Sequence, residues 1–262
     1  APISYSNDSN LIIFHFNVLI ISMKALCIIP VFNEDSKLID LINQIKKNPY
    51  QNYNLDYIFV NNGSTDTSLN LIKKNQFKFL SLKKNMGVGY ALILGYLYAK
   101  KYDYNYIVHL AGNGKMDPAY VGNFLRLLDE EGYDFISGSR FLEGSSKKNN
   151  PMYRIILIKF FSYFINFFYK KKITDSTCGF RAFKVSIFKN FKNNFYNKKL
   201  FTYGYEYFSY GKILNNKEIK FKEIPVSMNY PSKKNYTKIK PIIDWFIIAK
   251  YWIKGLNDKS KL

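Results

Sequence analysis

At 262 residues, 47% of them hydrophobic, the chain has ample material for one large core or two small ones. Its net charge of +20, with 39 basic and 19 acidic residues, points to an anionic partner or to a basic bias of the whole sequence. No zinc-finger, RRM or KH spacing accompanies it, which argues against nucleic acid and leaves an anionic membrane surface with a diphosphate substrate. The two cysteines, Cys27 in an apolar run and Cys178 in a polar loop, exclude a disulfide framework and suit a reducing, cytoplasmic setting; no Cys/His cluster for zinc is present.

Residues 1–22 lack a globular pattern. Their apolar piece, Leu11–Ile21, is shorter than the roughly 20 residues that span a bilayer, and no basic flank marks a signal peptide. The stretch reads as a non-native or disordered extension, with a peripheral membrane anchor as the alternative. Ala25–Ile29 predicts a buried strand that breaks at Pro30-Val31-Phe32-Asn33-Glu34. Asn33 or Asp35 can cap the following helix, over 36–47, which carries Leu38, Leu41, Ile42 and Ile45 at helical spacing. Tyr57–Val60 predicts a second strand, ending in Asn61-Asn62-Gly63-Ser64-Thr65-Asp66, where Ser64 or Thr65 can cap the next helix. A third strand, Phe77–Leu82, leads through Asn85–Ala91 into a helix that reaches Lys101. A fourth, Ile107–Leu110, stops abruptly in Ala111-Gly112-Asn113-Gly114-Lys115-Met116-Asp117-Pro118. A helix over 119–131, with Asp117 as its cap, and a strand at Phe135–Ser137 complete the first half. This alternation, with a polar loop after each strand, implies an α/β fold built on a doubly wound, mostly parallel sheet with right-handed crossovers. Ligands of such sheets bind at the carboxyl ends of the strands.

Beyond residue 140 the pattern changes. Gly144–Asn150 is a polar loop, and Tyr153–Tyr169 is an apolar, aromatic run interrupted by Lys159 and Asn166, read as an interfacial or core-packed helix. Residues 173–183 predict a loop and a strand, with helices near 184–191 and 202–214 and a strand at Ile219–Pro225. A Lys-rich loop at 230–240 precedes a final amphipathic helix over 241–254 that carries Trp245, Phe246, Ile247, Tyr251 and Trp252. No transmembrane helix and no internal repeat are expected.

Several ordered motifs resemble family 2 glycosyltransferases of the GT-A fold, over residues 24–240, with the polyprenyl-phosphate sugar transferases as the nearest subgroup. Pro30–Glu34 resembles the opening Pro-Val-Tyr-Asn-Glu, with Phe32 for Tyr. The resemblance puts Pro30, Phe32 and Glu34 around the nucleotide, although Glu34 in a first helical turn also suits the helix dipole. Asn61–Asp66 resembles Asp-Asp-Gly-Ser-Thr-Asp with both leading acids amidated, so Val60 and Asn62 are expected at the base, Asn62 as a neutral acceptor. Asn85–Ala91 resembles Asn-x-Gly-x-x-x-Ala, where Asn85 and Gly87 would let the backbone approach a diphosphate at a helix N-terminus. Ser137–Arg140 resembles Gly-Ser-Arg, whose Arg, here Arg140, is associated with phosphates. Asp175–Arg181 resembles Asp-x-x-Ser-Gly-Phe-Arg with Cys178 for Ser. An Asp175–Arg181 ion pair would shape the acceptor loop, and Arg154 is a further candidate for the acceptor phosphate or a snorkelling helix-end residue. Glu206 matches an acidic helix position facing the site, and Lys238 a late Lys near the diphosphate, with Lys233 or Lys234 for the missing Arg.

The strand-end motif departs from the family. Its Asp-x-Asp, which holds Mg²⁺ or Mn²⁺ against the diphosphate, is replaced by Ala111, Gly112 and Asn113. Asn113 is at most a weak metal ligand, and Lys115 can supply charge to the leaving diphosphate instead. The resemblance therefore implies an inverting transfer from a nucleoside diphosphate sugar to a membrane-associated acceptor, peripherally on the inner face of the membrane. Asn113, Lys115, Arg140 and Glu206 are the expected catalytic set, and Arg154, Asp175 and Arg181 the acceptor set. A polyprenyl phosphate is the expected acceptor. The alternatives are a glycan hydroxyl acceptor or a catalytically silent nucleotide-sugar-binding protein.

Overall fold

Every second residue of β1 (Lys24–Val31) faces one core and the residues between face another, as the two-residue period of a strand requires. Both faces are covered, so Ala25 to Ile29 are all fully buried. The computed structural model describes residues 23–48, 53–146, 152–188, 197–228 and 243–258. Residues 1–22 and the expected contact at Lys238, with Lys233 and Lys234, lie outside the described residues.

β1 pairs in parallel with β2 (Asn54–Asn61) and β4 (Tyr106–His109), and β2 pairs in parallel with β3 (Lys78–Ser81). β2 starts earlier than its apolar run because Asn54 is already in register with Lys24. α1 (Asp35–Lys47), α2 (Ser68–Lys74) and α4 (Val121–Asp129) bury apolar faces on the Cys27 and Ile29 side of the sheet. α3 (Val88–Lys101) covers the Leu26 and Ile28 side. The second half adds β5 (Phe135–Ser139), β6 (Arg181–Lys184) and β7 (Phe221–Pro225), giving the order β3-β2-β1-β4-β6-β5-β7. β6 alone runs antiparallel to its neighbours. Its first residue, Arg181, therefore stands opposite His109 of β4 and Ser137 of β5, at the carboxyl ends of the parallel strands. The helix expected near 184–191 is a short 3-10 turn at Val185–Phe188, with 189–196 outside the described residues.

Three helices complete the α3 face: α5 (Met152–Tyr169), α6 (Gly204–Asn215) and α7 (Ile243–Asn257). α5 packs Ile155, Ile158, Phe161, Ile165 and Tyr169 inward. Its Asn166 is not a break, because the side-chain amide bonds both the N–H and the carbonyl of Ile173. The Tyr169 hydroxyl donates to the Trp252 carbonyl and ties α5 to α7. Among the described residues no helix is long and apolar enough to cross a membrane.

α6 and α7 cross at Gly211 and Gly255. A Cβ on Gly255 would lie 2.7 Å from the Phe208 carbonyl oxygen and 3.1 Å from the Gly211 Cα. Gly255→Val should wedge these helices apart at a cost of about 1–3 kcal/mol, the usual range for overpacking. Thermal unfolding would show a melting point lowered by several degrees, and an unchanged value would mean that the crossing is not tight.

Candidate active site

Three strand ends and the first turn of α6 surround a cleft of about 230 Å³. Pro30, Val31, Phe32 and Glu34 line it from the end of β1, Asn62 from β2, and Ala111, Gly112, Asn113 and Lys115 from the loop after β4. Lys37, Val88, Tyr203 and Glu206 complete the wall. Pro30, Phe32, Glu34, Asn62, the Ala111–Asn113 stretch, Lys115 and Glu206 are thus brought together as the sequence predicts. Val60 is not: it is a fully buried strand residue in register with Pro30.

The loops after β1 and β2 are stitched together by Asn33. Its side-chain oxygen accepts from the Thr65 N–H at 2.9 Å, and its own N–H donates to the Ser64 hydroxyl at 3.1 Å. Ser64 and Thr65 are therefore used on Asn33 rather than as helix caps; Thr67 stands at the N-cap of α2, and Asp66 before it accepts from the Ser68 N–H. The Asn62 amide is likewise engaged, accepting from the Met86 N–H and donating to the Asn85 side-chain oxygen. The amidation of this motif thus has a local use, since the Nδ2 donor of Asn62 needs the Asn85 acceptor.

The glycines that open α3 serve a different approach from the expected one. A Cβ on Gly87 or Gly89 would meet the carbonyl oxygens of Phe201 or Leu200 at 2.3 Å. The N–H groups of Gly89 and Tyr90 donate to the carbonyls of Thr202 and Phe201. The orphan donors of this helix N-terminus are satisfied by the turn before α6, not left open to a diphosphate. Asn85 bonds Asn62, and neither Asn85 nor Gly87 is among the residues that line the cleft.

The loop after β4 is built around Lys115. Gly112 continues the β4–β1 pairing through its N–H to the Pro30 carbonyl, at 3.3 Å. Asn113 then accepts from the Lys115 N–H at 3.2 Å, and Gly114 adopts a left-handed φ of 67°. The Ala111 N–H meets the Met116 sulfur and closes the turn. Burial, and then the charges of Arg154 and Lys37, push the Lys115 ammonium down to about 8; Glu34 opposes this and Arg140 adds to it. Glu34 is itself 3.3 Å from the Lys37 ammonium, an i,i+3 pair at the start of α1.

Arg140 and Asp175 correct the expected pairing. Arg140 is sunk beneath the cleft, and its Nε and Nη2 donate to the two Asp175 carboxylate oxygens at 2.6 and 2.7 Å. Burial works to raise the Asp175 carboxyl, but the Arg140 charge and hydrogen bonds override it and hold the group below the usual carboxylate range. Arg140 is therefore a positioning residue for the 174–177 loop rather than an open phosphate ligand. Glu223 of β7, which the sequence reading missed, accepts from the Thr174 hydroxyl and from the N–H groups of Thr174 and Asp175. Arg181 instead faces Glu206, at 3.7 Å, with its guanidinium 4.2 Å above the Tyr210 ring. Burial raises the Glu206 carboxyl and Arg181 opposes that shift. The same burial, with Arg181 beside it, pushes the His109 imidazole down to about 3, so that it is neutral at ordinary pH. Lys37 and Tyr203 were also missed; the only sequence signal for Lys37 is its spacing from Glu34.

The residues at the metal position do not fit a divalent cation. Such ions beside phosphates take carboxylate oxygens, and here positions 111–113 offer one neutral side-chain oxygen, the Asn113 amide, which also accepts from the Lys115 N–H. Among the described residues no group of three or more His, Cys, Asp or Glu side chains could hold a metal.

Residues 26–191 match the model of Glycosyl transferase family 2. The polyprenol monophosphomannose synthase of Mycolicibacterium smegmatis is 22% identical, over 92% of this chain and 91% of its own. The UDP-N-acetylglucosamine–dolichyl-phosphate N-acetylglucosaminyltransferase of Methanococcus voltae is 24% identical, over 78% of this chain and 84% of its own. The fold resembles glucosyl-3-phosphoglycerate synthase from Mycobacterium tuberculosis, solved with Mn²⁺, UDP-glucose and phosphoglyceric acid, with a TM-score of 0.65 at 12% identity. That likeness covers 89% of this chain and 78% of that one.

Asp175→Ala strands a buried guanidinium and should cost about 3–5 kcal/mol, read as a lowered urea midpoint. Adding Arg140→Met to it should recover part of the loss, because no charge is then left unmet. A double variant as unstable as the single one would show that the pair is not what holds this loop.

Proposed function

We propose that this chain, a glycosyltransferase that belongs to Glycosyl transferase family 2, moves a sugar from a nucleoside diphosphate sugar to a lipid phosphate at an anionic membrane surface. The observation that carries the acceptor class is the outward face of α5. Ile156, Phe160, Tyr163 and Phe167 follow one another at helical spacing and are 61, 69, 74 and 74% exposed. Phe246 of α7 adds a further ring at 73%. Exposed apolar surface of this extent marks a docking face, and α5 has no acidic residue, with Lys159, Lys170 and Lys172 exposed on it or just after it. An exposed apolar helix face rimmed by lysine suits the boundary of an anionic bilayer.

The first turn of α5 links that face to the cleft. It carries Arg154, whose charge acts on Lys115. A lipid phosphate lying along α5 would bring its headgroup to Arg154 while its tail stays with the exposed rings. The donor nucleotide lies against Pro30, Phe32 and Asn62, and its diphosphate against Lys115. One acceptor phosphate oxygen attacks the anomeric carbon from the side opposite the diphosphate. The new C–O bond forms as the old one breaks, the bonding pair leaves with the nucleoside diphosphate, and the configuration inverts. A phosphate acceptor is already an anion and passes no proton in this step. A hydroxyl acceptor is the second reading, favoured by Glu206 at the cleft wall, since such an acceptor requires a base.

Transfer should appear when UDP-, GDP- and CDP-sugars are offered with undecaprenyl phosphate in vesicles containing anionic lipid. Phe160→Glu with Phe167→Glu should reduce vesicle co-sedimentation more than 10-fold, given about 1.5–3 kcal/mol per large apolar side chain, and leave nucleotide binding in solution unchanged. Transfer to glycan hydroxyls alone, or undiminished vesicle binding by the double variant, would overturn the lipid-phosphate reading.

A further inference from the structure

We infer that this site neutralises the donor diphosphate with side-chain cations, Lys115 first and Lys37 and Arg154 with it, in place of a bound divalent ion. The inference rests on the donor assignment above and concerns how that same cleft handles charge.

The donor atoms point this way first. Ala111 and Gly112 bring no side-chain oxygen, and Asn113 brings a single neutral amide oxygen that also accepts from the N–H of Lys115. Asn113 thus builds the turn that presents Lys115 instead of holding an ion. The two carboxylates on the cleft wall, Glu34 and Glu206, each face a cation, Lys37 at 3.3 Å and Arg181 at 3.7 Å.

The charge inventory points the same way. Lys115 shares its field with Lys37, Arg154 and Arg140, against the carboxylates of Glu34 and of Asp175 on Arg140, and Arg181 offsets Glu206; five cations over three acids leave two positive charges in excess. That is the charge of a divalent ion, and it matches one negative charge on each phosphate of the donor. A divalent cation placed on the same wall would be repelled by Lys115 and Lys37, in a cleft whose partial burial strengthens the repulsion. As the anomeric C–O bond breaks, its electron pair goes to the diphosphate oxygen. An ammonium already aimed at the diphosphate stabilises that charge without reorganising.

The full chain tests this by calorimetric titration with UDP, GDP and CDP, in EDTA and in Mn²⁺, and by Mn²⁺ spin resonance. The preferred nucleotide should bind equally well, within about twofold, in EDTA and in Mn²⁺. Lys115→Ala should weaken it roughly 10- to 100-fold, the worth of one charge-assisted contact, while Lys115→Arg keeps most of the affinity. Ala111→Asp with Asn113→Asp and Lys115→Ala together should create an Mn²⁺ signal and make nucleotide binding depend on the metal. Wild-type binding that needs Mn²⁺, or undiminished binding by a folded Lys115→Ala, would overturn this inference and leave the proposed activity standing. Absence of binding to any nucleotide under either condition would overturn both.

Discussion

Asp175 is a carboxylate with no exposure, and the 174–177 loop with the strand ends beside it is arranged around meeting its charge. Arg140, at the end of β5, supplies a bidentate partner and its own backbone N–H at 3.1 Å. Two charge-assisted bonds in parallel fix orientation as well as distance. Glu223 then draws in the neighbouring N–H groups from β7. Two carboxylates, Asp175 and Glu223, thereby lock the end of β5 and the middle of β7 to the loop that feeds β6. That loop ends in Arg181, which reaches Glu206 on the cleft wall. The electrostatic order of the inner layer thus sets the position of a group in the outer one.

The alternation of strands and helices was legible because parallel strands buried on both faces leave unbroken apolar runs, as in Ala25–Ile29. The cleft residues after β1, β2 and β4 were legible for a related reason: they sit where such a run stops. Partner choice was not. Asp175 and Arg181 are close in the chain, and that proximity suggested a pair. The antiparallel course of β6 instead carries Arg181 toward β4 and α6, while β5 brings Arg140 to Asp175. Pairing of this kind is decided by strand order, which local sequence does not encode. Glu223 was invisible for the same reason, and Val60, expected at the base from the resemblance, has its side chain in the core and not in the cleft lining.

α5 has two apolar faces that answer to different surroundings. The inner one, from Ile155 to Tyr169, packs on the core and ends in a hydrogen bond to the Trp252 carbonyl. The outer one, with Phe160, Tyr163 and Phe167, is covered by nothing among the described residues. A helix that is apolar all round is either central or spanning in most proteins. Here Lys159 breaks the outer face and Asn166 is turned to the Ile173 backbone, so the helix lies on the surface with its polar groups accounted for.

The closed N-terminus of α3 bears on how the chain is made. Its first turn is completed only by the carbonyls of Phe201 and Thr202, and its glycines admit only that backbone. A nascent chain that has emerged as far as β5 holds β1 to β4 and yet leaves those two donors unmet. During synthesis the half that carries β1 to β4 therefore waits for the residues before α6, and the intermediate keeps the apolar face of α3 uncovered. A truncation after β5 would be an aggregation-prone fragment rather than a small independent domain. The two halves mature together, although the fold is drawn as one following the other.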